Sequence, residues 1–162
     1  MLKLLSVFSF IAILAACNAQ TNRESTAALP SYDSLIRIHC RTKAAEALSY
    51  CKKNGMDTSF CVLIDMSIHS GKKRLLLWNF KKDTIEYSAL CSHGSGDYPW
   101  NNDYTKERPK FSNAVNSHCA SLGKYKVGIR SYSSWGLKFH YKLHGLETTN
   151  DKAFERYVVL HS

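Results

Sequence analysis

Histidine and cysteine are the residue types in this sequence with the most informative chemistry. The 162 residues include seven histidines and six cysteines. A cysteine thiolate activated by a histidine base is a nucleophile, whereas sulfur and imidazole ligands together suit tetrahedral zinc. The sequence therefore allows either a Cys/His nucleophilic pair or a metal site, and the spacing of these residues has to separate the two.

Two short motifs place cysteine and histidine side by side, Cys91-x-His93 and His118-Cys119. Together they would supply two sulfurs and two imidazoles to a zinc ion. Adjacent residues such as His118 and Cys119 project poorly onto one ion, and this spacing is not a usual structural-zinc pattern. We therefore expect no metal at these positions.

The same motifs contain two candidate nucleophiles, Cys91 and Cys119. Cys91 lies in a predicted strand, where an unpaired cysteine is more often a buried core residue than a reactive one. No local pattern around either cysteine favours it as the nucleophile, so both remain open at this point.

The N-terminus has the composition of an export signal. Lys3 precedes an apolar run over residues 4–16, which is short for a membrane-spanning helix. The run ends in "LAAC", which resembles the bacterial lipoprotein box whose cysteine is acylated. We expect residues 1–17 to be a lipoprotein signal peptide with Cys17 as the lipidation site; an ordinary secretory signal is the alternative. Both interpretations predict export.

Residues 18–31 are small and polar and read as a tether, so residues 32–162 are expected to form the single domain. The net charge of +9 becomes +8 once the one basic residue of the signal is removed. This charge favours an anionic partner such as a carboxylate-rich polymer, and an exported protein does not meet nucleic acid.

Five cysteines remain after Cys17, so at least one thiol must stay unpaired, and spacing alone does not give any pairing.

The pattern of the domain predicts a mainly β, α+β fold with one or two N-terminal helices. Residues 32–54 carry apolar side chains at helical spacing and are followed by Gly55, with a break possible near residues 40–42. Three strand-like runs follow at 59–67, 74–80 and 84–92. Their connections are too short for parallel crossovers, which indicates an antiparallel meander.

The second half of the domain begins with a long irregular stretch over residues 93–121, a length that usually indicates function. Further strands are predicted at 124–130, 135–143 and 156–162. In the first of these, Tyr125 and Val127 alternate with polar residues or glycine and are expected to face the core.

The blocks "VLIDMS", "KKRLLLWNFKKDTIEYSALCSHGSGD", "KFSNAVNSHCASLGKYKVG", "YKLHGLETTNDKAF" and "RYVVLHS" occur in this order from about residue 32 to 162. In this arrangement the domain resembles the murein L,D-transpeptidase catalytic-domain family, a variant of the YkuD-type fold. The resemblance implies an antiparallel β-rich cysteine acyltransferase, without a cofactor, that acts on the peptide stems of peptidoglycan.

The catalytic core of that family is a strand-end histidine followed, after a short insertion, by a Gly-Cys pair that holds the nucleophile. His161 matches the histidine, so the resemblance implies that it is the general base. The Gly-Cys segment has no counterpart in the 162 residues. The resemblance also implies substrate contacts by His93, Gly94, Ser112 and Asn113.

Two functions therefore remain open from the sequence. The first is an L,D-transpeptidase-like protein that is catalytically incomplete, either as a truncated enzyme or as an inactive homologue. The second is a non-catalytic lipoprotein that binds peptidoglycan through a groove in the long loop. Both place the domain in the bacterial cell envelope, anchored to a membrane by lipid and facing the periplasm. The candidate groove residues are the aromatic ones of the loop, Tyr98, Trp100, Tyr104 and Phe111.

Overall fold

The computed structural model describes residues 32–99, 108–134 and 136–161. Within these ranges the chain forms one helix and six strands, and the strands make two antiparallel three-stranded sheets. The predicted mainly β, α+β fold with an N-terminal helical layer is confirmed. The elements are α1 Tyr32–Lys53, β1 Phe60–Ile64, β2 Leu75–Asn79, β3 Thr84–Ala89, β4 Tyr125–Tyr132, β5 Phe139–Gly145 and β6 Val159–His161.

Helix α1 is continuous over 22 residues, without the break that the sequence allowed near residues 40–42. Its end agrees with the predicted stop at Gly55. This glycine has φ 60°, a left-handed conformation that costs little without a β-carbon. The Met56 amide then donates to the Cys51 carbonyl at 2.9 Å, which closes the last turn.

The first sheet, in the order β1-β2-β3, carries the apolar core on the face that packs against α1. Leu76 and Trp78 lie two residues apart on the central strand β2 and therefore share a face. They are 6% and 2% exposed and pack with Cys40 and Ala44 of the helix. The predicted antiparallel meander is confirmed, and its apolar side holds the helix.

The second sheet has the order β4-β5-β6, with β5 in the centre. Two of its strands start later than predicted: the strand expected from residue 135 begins at Phe139, and the one expected from residue 156 begins at Val159. The residues just before them explain the delay, because Lys138 has φ 64° and Tyr157 has φ 62°. A left-handed residue does not fit a strand.

The predicted alternation in β4 is wrong for Val127, which is 49% exposed. The pairing of β4 with β5 shifts register between Val127 and Arg130. Because the shift begins beyond Val127, it changes the faces of the residues that follow and leaves Val127 on the solvent side. A sequence pattern of period two cannot anticipate such an irregularity.

Residues 146–158 connect β5 to β6 and are fixed by buried polar contacts. The side chain of Asn150 is fully buried. Its Nδ2 donates to the Lys124 carbonyl at 2.7 Å, and its Oδ1 accepts the Glu147 amide at 3.0 Å. Gly145 lies so close to the backbone of Asn150 that a β-carbon would not fit. The connection is therefore tied both to β5 and to the start of β4.

Candidate active site

His161 is the last residue of β6 that the structure describes, and its Cα partner across the strand pair is His140 of β5. Directly opposed residues of an antiparallel pair project to the same side of the sheet. The His161 side chain is exposed, whereas His140 is only 5% exposed. The histidine that the sequence singles out therefore stands beside a second imidazole that sequence reasoning did not select.

Aromatic rings from the connection 146–158 cover the same face of the second sheet. Lys142 and His144 follow His140 at intervals of two residues and so project to the same side. The Lys142 Nζ lies 4.0 Å from the Phe154 ring centroid and 4.2 Å from that of Tyr157. His144 stacks on Phe154 with ring centroids 4.5 Å apart, and His140 lies 5.6 Å from the Tyr157 centroid. These contacts restrict the side chains next to the candidate base.

His93, a predicted substrate contact, is held by a guanidinium that the sequence analysis missed. Arg74 is 1% exposed, and its Nη2 lies 2.9 Å from His93 Nδ1. Because arginine has donors only, His93 Nδ1 must accept, and a neutral His93 then carries its proton on Nε2. Arg74 also donates to the carbonyls of Cys91, at 2.8 Å, and Ile68, at 2.9 Å. Little in the sequence indicates that Arg74 is buried, since a Lys-Lys-Arg cluster usually indicates a solvated turn.

Gly94, the second predicted contact, lies where two parts of the long loop approach each other. A β-carbon at this position would collide with the carbonyl oxygen of His118 and would lie 2.7 Å from the Ala120 amide nitrogen. Two residues on, the Gly96 amide donates to the same His118 carbonyl at 3.2 Å. Only glycine fits such a close approach of two backbones. Gly94 therefore has a structural reason to be glycine, whatever it binds.

Ser112, the third predicted contact, belongs to a cluster around the Arg156 guanidinium. Arg156 Nη1 donates to the Ser112 carbonyl at 2.8 Å and to the Ser121 hydroxyl at 2.6 Å. Its Nη2 donates to the Ser117 hydroxyl at 3.0 Å and to the Cys119 carbonyl at 2.6 Å. One side chain of the connection 146–158 thus fixes the second half of the long loop.

Asn113, the fourth predicted contact, faces the same connection. Its Nδ2 donates to the Thr148 carbonyl at 3.1 Å and to the Asp151 carboxylate at 2.6 Å. Ser112 and Asn113 are therefore brought together at the connection before β6, while Gly94 meets residues 118–120 from the other side of the loop. His161 lies on the second sheet, at the end of that connection.

An open groove of about 540 Å³ lies in the long loop. Of the four aromatic residues proposed to line such a groove, Tyr98 does so. Phe111 instead forms an isolated parallel bridge with Ala120. Trp100 and Tyr104, like Cys17, lie outside the described residues. The groove is lined by Ser95, Gly96, Asp97, Tyr98, Pro99, Asn116 and His118.

The cysteines described by the structure are unpaired, and three of them are in surroundings that disfavour the thiolate. Burial raises the pKa of the Cys61 thiol to about 11 and also raises the pKa of Cys40 and of Cys91. The Cys91 thiol also donates a hydrogen bond to the Ser92 carbonyl at 3.3 Å. The thiolate is the nucleophilic form, so a raised pKa reduces reactivity at neutral pH.

The candidate zinc ligands of the two Cys/His motifs lie within the described residues. Across residues 32–99, 108–134 and 136–161, no group of three or more histidine, cysteine, aspartate or glutamate side chains is arranged to hold an ion. The pairs Cys91/His93 and His118/Cys119 thus do not combine into a zinc site within these ranges. His93 instead uses its Nδ1 as the partner of Arg74.

The comparisons with known proteins identify one family. The model of the family described as the L,D-transpeptidase catalytic domain matches residues 33–162, which is most of the chain. No curated protein and no solved structure matches the sequence. Within the part of the chain that the structure describes, no helix combines the length and the apolar character needed to cross a membrane.

Proposed function

Because the chain belongs to the L,D-transpeptidase catalytic domain family, we propose that it is an exported, lipid-anchored protein that binds peptidoglycan peptide stems with His161 as the general base. The observation that carries the proposal is the position of His161. It ends a strand that is paired to β5, on a face braced by the rings of Phe154 and Tyr157. An exposed imidazole on a fixed strand can reach a bound substrate, which a general base must do.

The proposed reaction begins when a cysteine thiol gives its proton to His161 and the sulfur attacks the carbonyl carbon of a stem residue. Backbone amides stabilise the oxyanion of the tetrahedral intermediate. The C–N bond then breaks, and the leaving amine takes the proton from His161. The thioester that remains passes its acyl group to an amine of a neighbouring stem or to water, and the free thiol is regenerated.

We further propose that the 162 residues supply the base and the stem-binding surface but not the attacking thiol. The sequence contains no Gly-Cys pair. Burial raises the pKa values of Cys40, Cys61 and Cys91, which argues against these three thiols as nucleophiles. A Gly-Cys-bearing segment joined after Ser162 would supply the missing thiol.

The test compares the 162-residue chain with the same chain extended by a Gly-Cys-bearing segment from an active member of the family. The measurement is release of the terminal D-amino acid from a tetrapeptide stem. We expect release only by the extended chain, and none when the cysteine of the added segment is replaced by alanine. Release by the unextended chain that disappears on Cys119→Ala or Cys91→Ala would place the nucleophile within the 162 residues and refute this proposal.

The lipid anchor is proposed from the sequence of residues 1–17, in which Cys17 follows "LAA". Replacement of Cys17 with serine should remove the acylation site and release the protein from the membrane fraction. Cys51→Ser, a change at a cysteine of the described domain, is the matched control and should leave the distribution unchanged. Membrane retention of the Cys17→Ser chain equal to that of the parent would contradict lipid anchoring.

The groove in the long loop favours a second candidate function, non-catalytic binding to peptidoglycan. Its lining combines the aromatic ring of Tyr98 with polar groups of Asp97, Asn116 and His118, a mixture suited to a peptide or sugar. Purified sacculi should retain the 162-residue chain at moderate salt, and Tyr98→Ala together with Asn116→Ala should weaken retention. Passage of the parent chain without retention would contradict this candidate.

A further inference from the structure

Lys142 of β5 differs from the other lysines in the described part of the chain, because it alone is partly buried. The others are exposed to water, and several of them pair with acidic side chains. The Lys142 Nζ lies instead over two aromatic rings, 4.0 Å from the centroid of Phe154 and 4.2 Å from that of Tyr157. Attraction to the face of a ring holds a cation in place but leaves its charge intact. The ammonium of Lys142 therefore remains able to bind an anion.

The acidic residues in the connection between β5 and β6 do not neutralise this charge. The Glu147 carboxylate pairs with Lys124, with 3.6 Å between Oε1 and Nζ, and Asp151 accepts a hydrogen bond from the long loop. Glu155 is exposed, and no carboxylate of the described residues forms an ion pair with Lys142. A charged group that is withdrawn from water is normally paired, because its desolvation costs free energy. A ligand with a negative charge would supply the missing partner.

The strand pairing places Lys142 on the same face of the second sheet as the candidate base. Val159 of β6 lies opposite Lys142. His161, two residues further along β6, lies opposite His140 of β5. Lys142 and His161 are thus diagonal neighbours across the strand pair, which corresponds to a separation of about 7–8 Å. When the last amide bond of a peptide is attacked, the terminal carboxylate lies one residue beyond the attacked carbonyl carbon, so a single stem can meet both side chains.

We propose that Lys142 is a specificity-determining residue for the stem peptide, and that its ammonium binds the terminal carboxylate of the stem. This inference rests on the proposed binding of peptide stems at the face that carries His161. An ammonium and a carboxylate form a charge-assisted hydrogen bond, which is stronger than a bond between neutral groups. The rings of Phe154 and Tyr157 hold the ammonium before the ligand arrives, so less side-chain entropy is lost on binding.

The two rings also set the surroundings of the proposed bond. Phe154 is 44% exposed and Tyr157 is 60% exposed, so both present apolar surface to the solvent beside the ammonium. Apolar walls exclude water from part of the contact, and the attraction between opposite charges is stronger where water is excluded. A stem that ends in a neutral group gains none of this attraction. Lys142 should therefore distinguish a carboxylate at the end of the stem from an uncharged end.

The test compares two synthetic probes, a tetrapeptide stem with a free terminal carboxylate and the same peptide ending in a carboxamide. Every other group is identical, so the difference in affinity isolates the terminal charge. Binding to the full chain is followed by NMR shifts of backbone amides near pH 7, where the lysine and the carboxylate are both ionised. We expect the acid to bind about tenfold more tightly than the amide, a usual contribution of a charged hydrogen bond. Lys142→Met should lower the affinity for the acid to that for the amide and leave the affinity for the amide unchanged.

Two further variants separate recognition of the carboxylate from structural support. Lys142→Arg keeps a cation between the rings and should retain the preference for the acid. Lys81→Met removes the same charge from an exposed turn of the first sheet and should also retain it. Equal loss of the preference in Lys81→Met and Lys142→Met would indicate a response to net charge alone and would overturn the inference. A preference that survives Lys142→Met would overturn it as well.

The parent chain gives a decisive result even if no Lys142 variant folds. Equal affinity for the acid and the amide overturns the role of Lys142, while the proposed stem binding stands. Binding of neither probe contradicts both the inference and the proposed stem binding. Because these titrations need no nucleophile, failure of the transpeptidase assay would leave their result unaffected.

Discussion

The two halves of the domain are stabilised by different kinds of contact. The first layer, α1 with β1 to β3, buries apolar side chains such as Leu76 and Trp78. The second layer, β4 to β6 with residues 146–158, buries the polar side chains of His140 and Asn150 beside the small apolar Ala153. Apolar burial is non-directional, whereas hydrogen bonds specify distances and angles. The comparison indicates that the first layer is the scaffold and that the second layer sets the positions of side chains around His161.

Directional hydrogen bonds also hold the long loop that joins the two layers. Arg74 lies just before β2 of the first sheet. Its guanidinium donates to the Cys91 carbonyl and lies 2.9 Å from His93 Nδ1, where the long loop starts. Arg156 has the corresponding role at the other end of that loop, where it donates to the Ser112 and Cys119 carbonyls. The described ends of this long loop are thus each fixed by an arginine that uses several of its donors.

The largest change in the free energy of unfolding is expected from a substitution in the apolar first layer. Trp78→Ala removes a side chain that is 2% exposed and leaves a cavity between β2 and α1. We expect it to lower the free energy of unfolding by about 3–5 kcal/mol, measured by urea denaturation. Tyr87→Ala removes another aromatic ring of the first sheet, but one that is 70% exposed, and should cost no more than about 0.5 kcal/mol. Equal effects of the two changes would refute the assignment of the core to this face.

A smaller effect is expected when the polar layer loses a buried side chain. Asn150→Ala removes the bonds to the Lys124 carbonyl and the Glu147 amide. The Lys124 carbonyl keeps the bond from the Leu146 amide, whereas the Glu147 amide loses the acceptor that Asn150 provides. The expected loss is about 2 kcal/mol. Amide exchange should accelerate most in β4 and β5, since Asn150 ties the connection to these strands.

The control for Asn150 is an exposed asparagine of the first layer. Asn54→Ala removes one bond, from Nδ2 to the Tyr50 carbonyl, and should change stability by less than about 0.5 kcal/mol. If Asn150→Ala accelerated exchange in β1 to β3 as strongly as in β4 and β5, the two layers would not be stabilised separately.

The pH dependence of stability probes the buried thiols of the first layer. Burial raises the pKa of Cys61 to about 11, so the unfolded chain releases this proton at lower pH than the folded chain does. The contribution of this thiol to stability should therefore be constant below about pH 9 and fall between about pH 9 and pH 11, by on the order of 2 kcal/mol. Chemical unfolding at a series of pH values measures the fall, and Cys61→Ala should reduce it. An unchanged slope in that variant would show that Cys61 is not responsible.

The apolar layer could be predicted from the sequence to a much greater extent than the polar one. The strand runs around Leu76 and Trp78 and the helix stop at Gly55 follow from spacing and from glycine's access to left-handed φ, and the structure confirms them. The late start of β6 could not be predicted, because the left-handed Tyr157 is set by tertiary contacts. Neither could the irregularity after Val127, since nothing in a pattern of period two marks where pairing shifts.

In the candidate site, too, some residues could be predicted from the sequence and others could not. His161 could be selected because it ends an apolar run, and its pairing with β5 places that run in the second sheet as an outer strand. Arg74, Arg156 and His140 could not be selected from the sequence. Their importance comes from partners 17 to 44 residues away or on a neighbouring strand, and one arginine in a basic cluster resembles any other. Long-range polar contacts of this kind leave no periodic signal.

The central claim is that the second layer presents His161 as the base. It is tested most directly by the rate of D-amino acid release from a tetrapeptide stem, in the chain extended by a Gly-Cys segment. His161→Ala should lower this rate by about 100-fold or more, the usual contribution of a general base. His69→Ala, at an exposed histidine in the turn before β2 of the first layer, should leave it within about twofold. An extended chain that retains its full rate with His161→Ala would contradict the claim.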